Sequence, residues 1–226
     1  MLLGKASAIG LDGLQNTVVD ALTQEAVTTS TIEGETINPQ SVRSSIAKRL
    51  GLDLHGAPAV DKKIEGLVDV LQDASTALNE PLTLERMCAW HGALFPTGYS
   101  GMHKIDVGTL RSSTMKIISG PVGKDKIYFE APPAEVLAVF VQRFADWFNA
   151  SHPKTGSSPV DGIVRASISH LWFETLHPFD DGNGRIGQAI LQLALGQNMG
   201  APGRIVTLSH QIERNRTDYY QQLPGD

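Results

Sequence analysis

Residues 176–189 read LHPFDDGNGRIGQA, a run that gathers a base, acids, glycines and a fixed cation within a few positions. His177 has an intrinsic pKa near neutrality and can take a proton from an attacking hydroxyl. Gly182 and Gly184 permit positive φ and close backbone approach, so Gly182, Asn183 and Gly184 can form a nest of backbone N–H groups for phosphate oxygens. Pro178 limits continuation of a preceding helix, and a second helix is expected to open near Arg185. The free N–H groups and dipole of that second helix would face the loop and favour an anion. Arg185 adds a charge with bidentate geometry, and Asp181 can hold Mg²⁺ against phosphates. Together these parts suit transfer of a phosphate-linked group.

Each part alone has a plainer explanation. A glycine-rich loop before a helix is often only a tight turn, one histidine among aromatic residues is more often structural, and Asp180 and Asp181 can cap the next helix. The ordered combination outweighs these. No second histidine at regular ligand spacing accompanies His177, which disfavours a metal hydrolase; His170, seven residues back, is expected to pack or cap.

The elements that must hold this loop are mostly helical. Helical periodicity predicts helices over 16–33, over 39 to about 50 with Asn38 and Pro39 as cap and first turn, over 59–79, over 84–94 after a Thr83 cap, and within APPAEVLAVFVQRFADWFN, which opens with prolines and becomes helical with Phe140, Phe144 and Trp147 inward. Further helices are expected over 160–176 with Ile163, Ala166 and Leu171 in the core, over 185–198 burying Ile186, Ala189, Ile190 and Leu193, and over 209–223. Residues 114–130 alternate differently: TMKIIS and KIYFE flank GPVGKD, the pattern of a β-hairpin. The fold class is therefore mainly α with one small hairpin. With 226 residues the chain can bury a real core; its net charge of −5 argues against broad nucleic-acid binding, and the single cysteine, Cys88, excludes an internal disulfide. No apolar run is long enough to span a bilayer, and MLLGKASAIG makes a poor signal peptide, so a cytoplasmic location without membrane contact is expected.

HPFDDGNGR at 177–185 closely resembles the signature of Fic-domain proteins, H-P-F-x-[D/E]-G-N-G-R-x-x-R, and WHGALFPTGYSG, STMKIISGP with EAPPAEV, and RNRTDYYQQL are similar to segments of bacterial members. The resemblance covers most of residues 25–223. It implies a Fic-type helical core with a β-hairpin flap and an N-terminal inhibitory helix: a helical segment over 1–50, and a core over 51–226 with the flap at about 114–130 and the motif loop at 177–188. It implies transfer of AMP from ATP to a Ser, Thr or Tyr hydroxyl of a protein, with Mg²⁺ as cofactor. In that scheme His177 is the general base, Asp181 holds the metal, Gly182, Asn183 and Gly184 form the nest, and Arg185 neutralises the diphosphate. The target would lie along the flap as an added strand. Lys126, Ile127 and Tyr128 on the hairpin, and Tyr219 and Tyr220 near the base, are the further nucleotide or target contacts the resemblance suggests. TSTIEG at 29–34 matches the family's inhibitory pattern, with Thr29 and Glu33 one turn apart and Gly34 closing it, which implies autoinhibition.

One position departs. The second motif arginine is replaced by Gln188, at i+3 from Arg185 and so on the same face of the first turn. Losing that charge removes a charge-assisted bond of about 1.5–3 kcal/mol. Both γ-phosphate binding and the ionic partner of Glu33 are expected to weaken. Two alternatives to an autoinhibited adenylyltransferase therefore stand beside it: Glu33-dependent removal of AMP, and a weakly active nucleotide-binding regulatory module. A Doc-like kinase fits less well, because that branch carries lysine where Gly184 stands. Self-modification, a homo-oligomer, and membership of a longer protein are all compatible with the sequence.

Overall fold

The computed structural model describes residues 11–52, 61–119, 126–200 and 214–215. Its helices are α1 (Leu11–Ile32), α2 (Pro39–Arg49), α3 (Lys62–Thr76), α4 (Leu84–Leu94), α5 (Ala134–Ala150), α6 (Gly162–Leu176) and α7 (Asn183–Met199). Two antiparallel ladders interrupt them, β1 (Tyr99–Ser100) with β2 (His103–Lys104), and β3 (Lys116–Ser119) with β4 (Lys126–Glu130).

The helix boundaries follow from local chemistry. Asn38 Oδ1 accepts from the Gln40 N–H at 2.8 Å and the Ser41 N–H at 3.3 Å, with Pro39 behind it, so α2 starts where its free donors are met. Thr83 Oγ1 does the same for the Arg86 N–H at the start of α4. The end of α1 is a Schellman turn: the Glu35 N–H reaches Ser30 O at 2.8 Å, the Gly34 N–H reaches Thr31 O at 3.0 Å, and Gly34 sits at φ 78°. This turn brings the side chains of Glu33 and Glu35 to the end of the helix.

The core is built around α7. Ile186, Ala189, Ile190, Leu193 and Ala194 are all fully buried, the pattern of a helix enclosed on every side. Leu67, Val68 and Leu71 of α3, Met87 and Leu94 of α4 and Phe173 of α6 come from helices packed on it, and Leu137, Phe144 and Phe148 of α5 extend the same core beside α6. Burying a large apolar side chain contributes roughly 1.5–3 kcal/mol, so this shell fixes α7 and the loop before it.

Some expectations need correction. Ile163 and Leu171 are exposed, at 64% and 43%, while Ala166 is buried. The inward stripe of α6 runs through Ala166, Ser169, His170 and Phe173 to Leu176, and Leu171 lies about 100° around from His170. Phe140 and Trp147 are only partly buried beside Phe144. The helix expected over 59–79 is shorter, ending at Thr76, so Leu78 packs from beyond it. The helix expected at Arg185 begins two residues earlier, at Asn183. β1 and β2 had no strand signal in their sequence. The expected hairpin is present, with Lys116 opposite Glu130 and Ser119 opposite Lys126. The expected helix over 209–223 lies outside the described residues except for Arg214 and Asn215.

Candidate functional site

The loop between α6 and α7 carries His177, Asp181 and the glycines. His177 ends α6 in the left-handed region, φ 45° and ψ 59°, the one non-glycine with positive φ among the described residues. Such a conformation costs on the order of 1–3 kcal/mol and persists only where its surroundings fix it. Several contacts do so here. The His177 N–H still bonds Phe173 O at 3.0 Å, and the buried Arg111 donates from Nε to His177 O at 2.7 Å. The Arg111 N–H reaches Pro178 O at 2.9 Å. Phe179 is buried and stacks on the buried His91 ring at 4.4 Å and 13°, which plugs the loop into the core. Asn183 closes the turn from the other side, accepting from the Phe179 N–H at 3.0 Å and donating to Phe179 O at 2.8 Å. Its side chain is thus committed to the loop, which leaves its backbone N–H and that of Gly184 at the open end of α7.

Burial lowers the His177 pKa below the ordinary histidine value; the nearby Arg111 charge acts in the same direction, and the Glu174 carbonyl and Asp181 act against it. A histidine in that state is neutral at pH 7 and has a ring nitrogen ready to accept a proton. Asp180 accepts from the Asp106 N–H at 3.0 Å. Asp181 accepts from the Ser100 hydroxyl and from the Gly182 N–H, so β1 orients it. Among the described residues no cluster of three or more His, Cys, Asp or Glu could hold a metal. A lone oriented carboxylate beside a phosphate nest suits Mg²⁺ that takes its remaining ligands from substrate and water, and does not suit an all-protein cage.

The start of α7 is lined by two of the chain's own carboxylates, Glu33 and Glu35. A side chain at Gly184 would collide with the Glu33 carboxylate, so only glycine lets that carboxylate lie against the helix start. Arg185 is buried and pairs with Glu35, Nη1 to Oε2 at 3.2 Å, with its guanidinium 4.9 Å above the Phe95 ring. Its Nε–H is buried without a hydrogen-bond partner among the described residues. Gln188, one turn beyond Gly184, is buried on the same helix. Thr29 is buried on α1 one turn before Glu33.

A second carboxyl stands behind Glu33. Glu174 packs against Gly187, and its carboxyl is pushed up to about 8 by burial and by the Glu33 charge. Because its folded pKa lies above the ordinary 4.5, its stabilising contribution is complete below about pH 4.5 and is lost as pH rises towards 8. Glu174→Gln is therefore expected to flatten the pH dependence of stability across that window. Denaturant midpoints at pH 5 and pH 8 should lie closer together in the variant than in the parent; equal spacing would contradict the assignment.

Sequence reasoning missed Ser100, Arg111, Glu35, Glu174 and His91. Each reaches the loop through a contact that no local pattern encodes, except Glu174, three residues before His177. Lys126, Ile127 and Tyr128 lie on β4. Tyr219 and Tyr220 fall outside the described residues.

The fold and the loop define a helical domain in which a histidine and a glycine-rich helix start share one loop, with a two-stranded hairpin tied to that loop through Arg111. The family profile described as Fic/DOC matches residues 81–195, and one described as a domain of unknown function (DUF4172) matches residues 1–52. The chain belongs to the Fic/DOC family. It is 30% identical over 134 residues to a probable protein adenylyltransferase of Aquifex aeolicus, covering 59% of this chain and 32% of that protein. It is 25% identical over 215 residues to the protein adenylyltransferase Fic of Nematostella vectensis, covering 93% and 44%. The chain spans less than half the length of these two relatives. A Fic-domain signaling protein from Bacteroides thetaiotaomicron superposes with a TM-score of 0.73 at 16% identity, covering 97% of this chain and 77% of that one. A Fic family protein from Desulfovibrio desulfuricans superposes at 0.62 with 23% identity, covering 90% and 56%. Among the described residues no helix is long and apolar enough to cross a membrane.

Proposed function

We propose that the chain is an autoinhibited protein adenylyltransferase. The observation that carries this reading is the placing of His177 on the loop that opens α7, a helix start against which Glu33 lies at Gly184 and Glu35 pairs with Arg185. The phosphates of ATP are to bind at the backbone N–H groups of Gly182, Asn183 and Gly184, with Arg185 as the fixed cation. His177 takes the proton of a Ser, Thr or Tyr hydroxyl. The hydroxyl oxygen forms a bond to the α-phosphorus, the bond from that phosphorus to the β-phosphate oxygen breaks, and pyrophosphate leaves. Mg²⁺, when bound at Asp181, would neutralise charge on the phosphates. The target, a protein or the chain itself, lies along β4 as an added strand, where Lys126, Ile127 and Tyr128 stand.

Inhibition follows from competition. A carboxylate against Gly184 and another on Arg185 hold the two features that phosphates require, so nucleotide and the α1 terminus exclude each other. Gln188 lacks the charge that would strengthen both sides of that contest. Glu33 also favours a second reading, removal of AMP, since a carboxylate beside the phosphate nest can orient water.

Labelled ATP separates these. With Mg²⁺ and ATP labelled at the α- or γ-phosphate, the Glu33→Gly protein is expected to transfer α-label in a His177-dependent manner. Adding Gln188→Arg should raise that transfer, by roughly tenfold if it restores one charged phosphate contact. In the Glu33-containing protein the same change should tighten inhibition. Transfer of γ-label indicates kinase chemistry, transfer of neither supports a binding module, and Glu33-dependent release of AMP from a modified protein supports removal.

A further inference from the structure

Arg111 stands outside every motif discussed above, yet it is among the largest fully buried side chains. Among the described residues its guanidinium makes four hydrogen bonds, all of them to backbone carbonyls. Nε donates to His177 O at 2.7 Å and Nη2 to Leu176 O at 3.4 Å, the carbonyls left open by the end of α6. Nη1 donates to Ser113 O at 2.6 Å, just before β3, and Nη2 to Pro132 O at 2.7 Å, just after β4. The Arg111 N–H adds the bond to Pro178 O, and the Ala131 N–H bonds Met115 O at 3.0 Å across the hairpin base. One planar group therefore joins both feet of the flap to the carbonyl of the one strained non-glycine residue.

We propose that Arg111 is a positioning residue, setting where the His177 ring stands relative to the flap strand on which a target segment docks. Arginine suits the task. Its five donors lie in one rigid fork, whereas a lysine ammonium is a point donor on a flexible stem. The peptide group that Nε holds is the one joining His177 to Pro178, so its direction fixes φ and ψ on either side and with them the ring. A proton acceptor displaced by about 1 Å can cost on the order of 100-fold in rate, while binding of ATP at the nest and Arg185 needs nothing from Arg111.

The kinetic consequence rests on the adenylyltransferase reading; the geometric one does not. Two measurements keep them apart. In a Glu33→Gly background, Arg111→Met and Arg111→Lys are compared with the parent for α-label transfer, with rates normalised to sites that bind a non-cleavable ATP analogue. The expected result is a kcat lower by roughly 100-fold for Arg111→Met, partial recovery for Arg111→Lys, and a KM for ATP close to the parent's. In parallel, long-range ¹H–¹⁵N spectra follow the His177 ring, assigned by its loss in His177→Ala. The parent should show a single neutral tautomer, and both Arg111 variants an averaged one. If Arg111→Met does not fold, Arg111→Lys carries both readouts.

Variants that melt at lower temperature but keep the parent's kcat per binding site and the parent's ring signal would reduce Arg111 to a structural cap and overturn the proposal. An averaged ring signal in the variants, with no α-label transfer even by the Glu33→Gly parent, would uphold the positioning role and sink the adenylyltransferase reading.

Discussion

Replacing His177 by alanine is expected to lower AMP transfer by about 10²–10⁴-fold, the usual contribution of a positioned general base. The fold should survive, because the contacts that shape the loop do not use the imidazole: Phe179 sits in the core, Asn183 bridges the turn, and Arg111 holds a backbone carbonyl. Alanine removes only a partly buried polar ring, although it must still adopt the left-handed conformation, so a small loss of stability is expected. ATP binding should change little. The pH profile of the parent follows from the same geometry. Burial holds the His177 pKa below its ordinary 6.5, so most of the base is unprotonated at pH 6.5 and above. Activity on the acid side should fall only beneath about pH 6.5, as the depressed pKa is crossed. A limb centred above 7 would mean that another group is the base.

Removing the two carboxylates at the end of α1 should have the opposite effect. Two unit charges about 4 Å apart interact by about 4 kcal/mol at an effective dielectric of 20, so a carboxylate at the nest opposes a phosphate there strongly. Glu33→Gly is therefore expected to raise self-modification by at least about tenfold, which corresponds to only 1.4 kcal/mol of that repulsion. Glu35→Gln acts on a half-exposed partner of Arg185 and should add less, about 2–5-fold, in line with a partly solvated ion pair. The double variant should bind ATP most tightly. Equilibrium nucleotide binding by the four proteins checks this order. If Glu35→Gln weakened binding, its carboxylate would be assisting the site and not competing for it.

These results depend on features that differ in how legible they were. HPFDDGNGR is local, and nearly every group in it acts through its own backbone or through the first turn of α7. That is why the loop and the helix start could be read from residue type and spacing, as the hairpin could from the alternation on either side of its turn. Helix limits set by side-chain caps, at Asn38 and Thr83, were equally visible. What the sequence concealed is what comes from far away. Glu35 meets Arg185 across 150 positions, and Arg111 meets His177 across 66. Neither pairing has a periodic signature. Ile163 and Leu171 misled for a different reason: helical hydrophobicity counts apolar residues but does not say which stripe faces the neighbour, and on α6 the buried stripe includes Ser169 and His170.

Arg111 and Glu35 also change how the missing charge at Gln188 matters. Restraint of the loop by α1 need not rest on the residue at 188 alone, because Arg185 is held by Glu35 and the Glu33 carboxylate lies on Gly184. Weak catalysis and persistent inhibition can therefore coexist in one chain.

The central claim is most directly tested by intact mass and fragmentation of the Glu33→Gly protein after incubation with ATP and Mg²⁺. The account predicts an adduct with the mass of one adenylyl group, attached to a Ser, Thr or Tyr oxygen and absent from the Glu33→Gly, His177→Ala protein. An adduct with the mass of a phosphoryl group, or an adenylyl adduct that persists without His177, would contradict it.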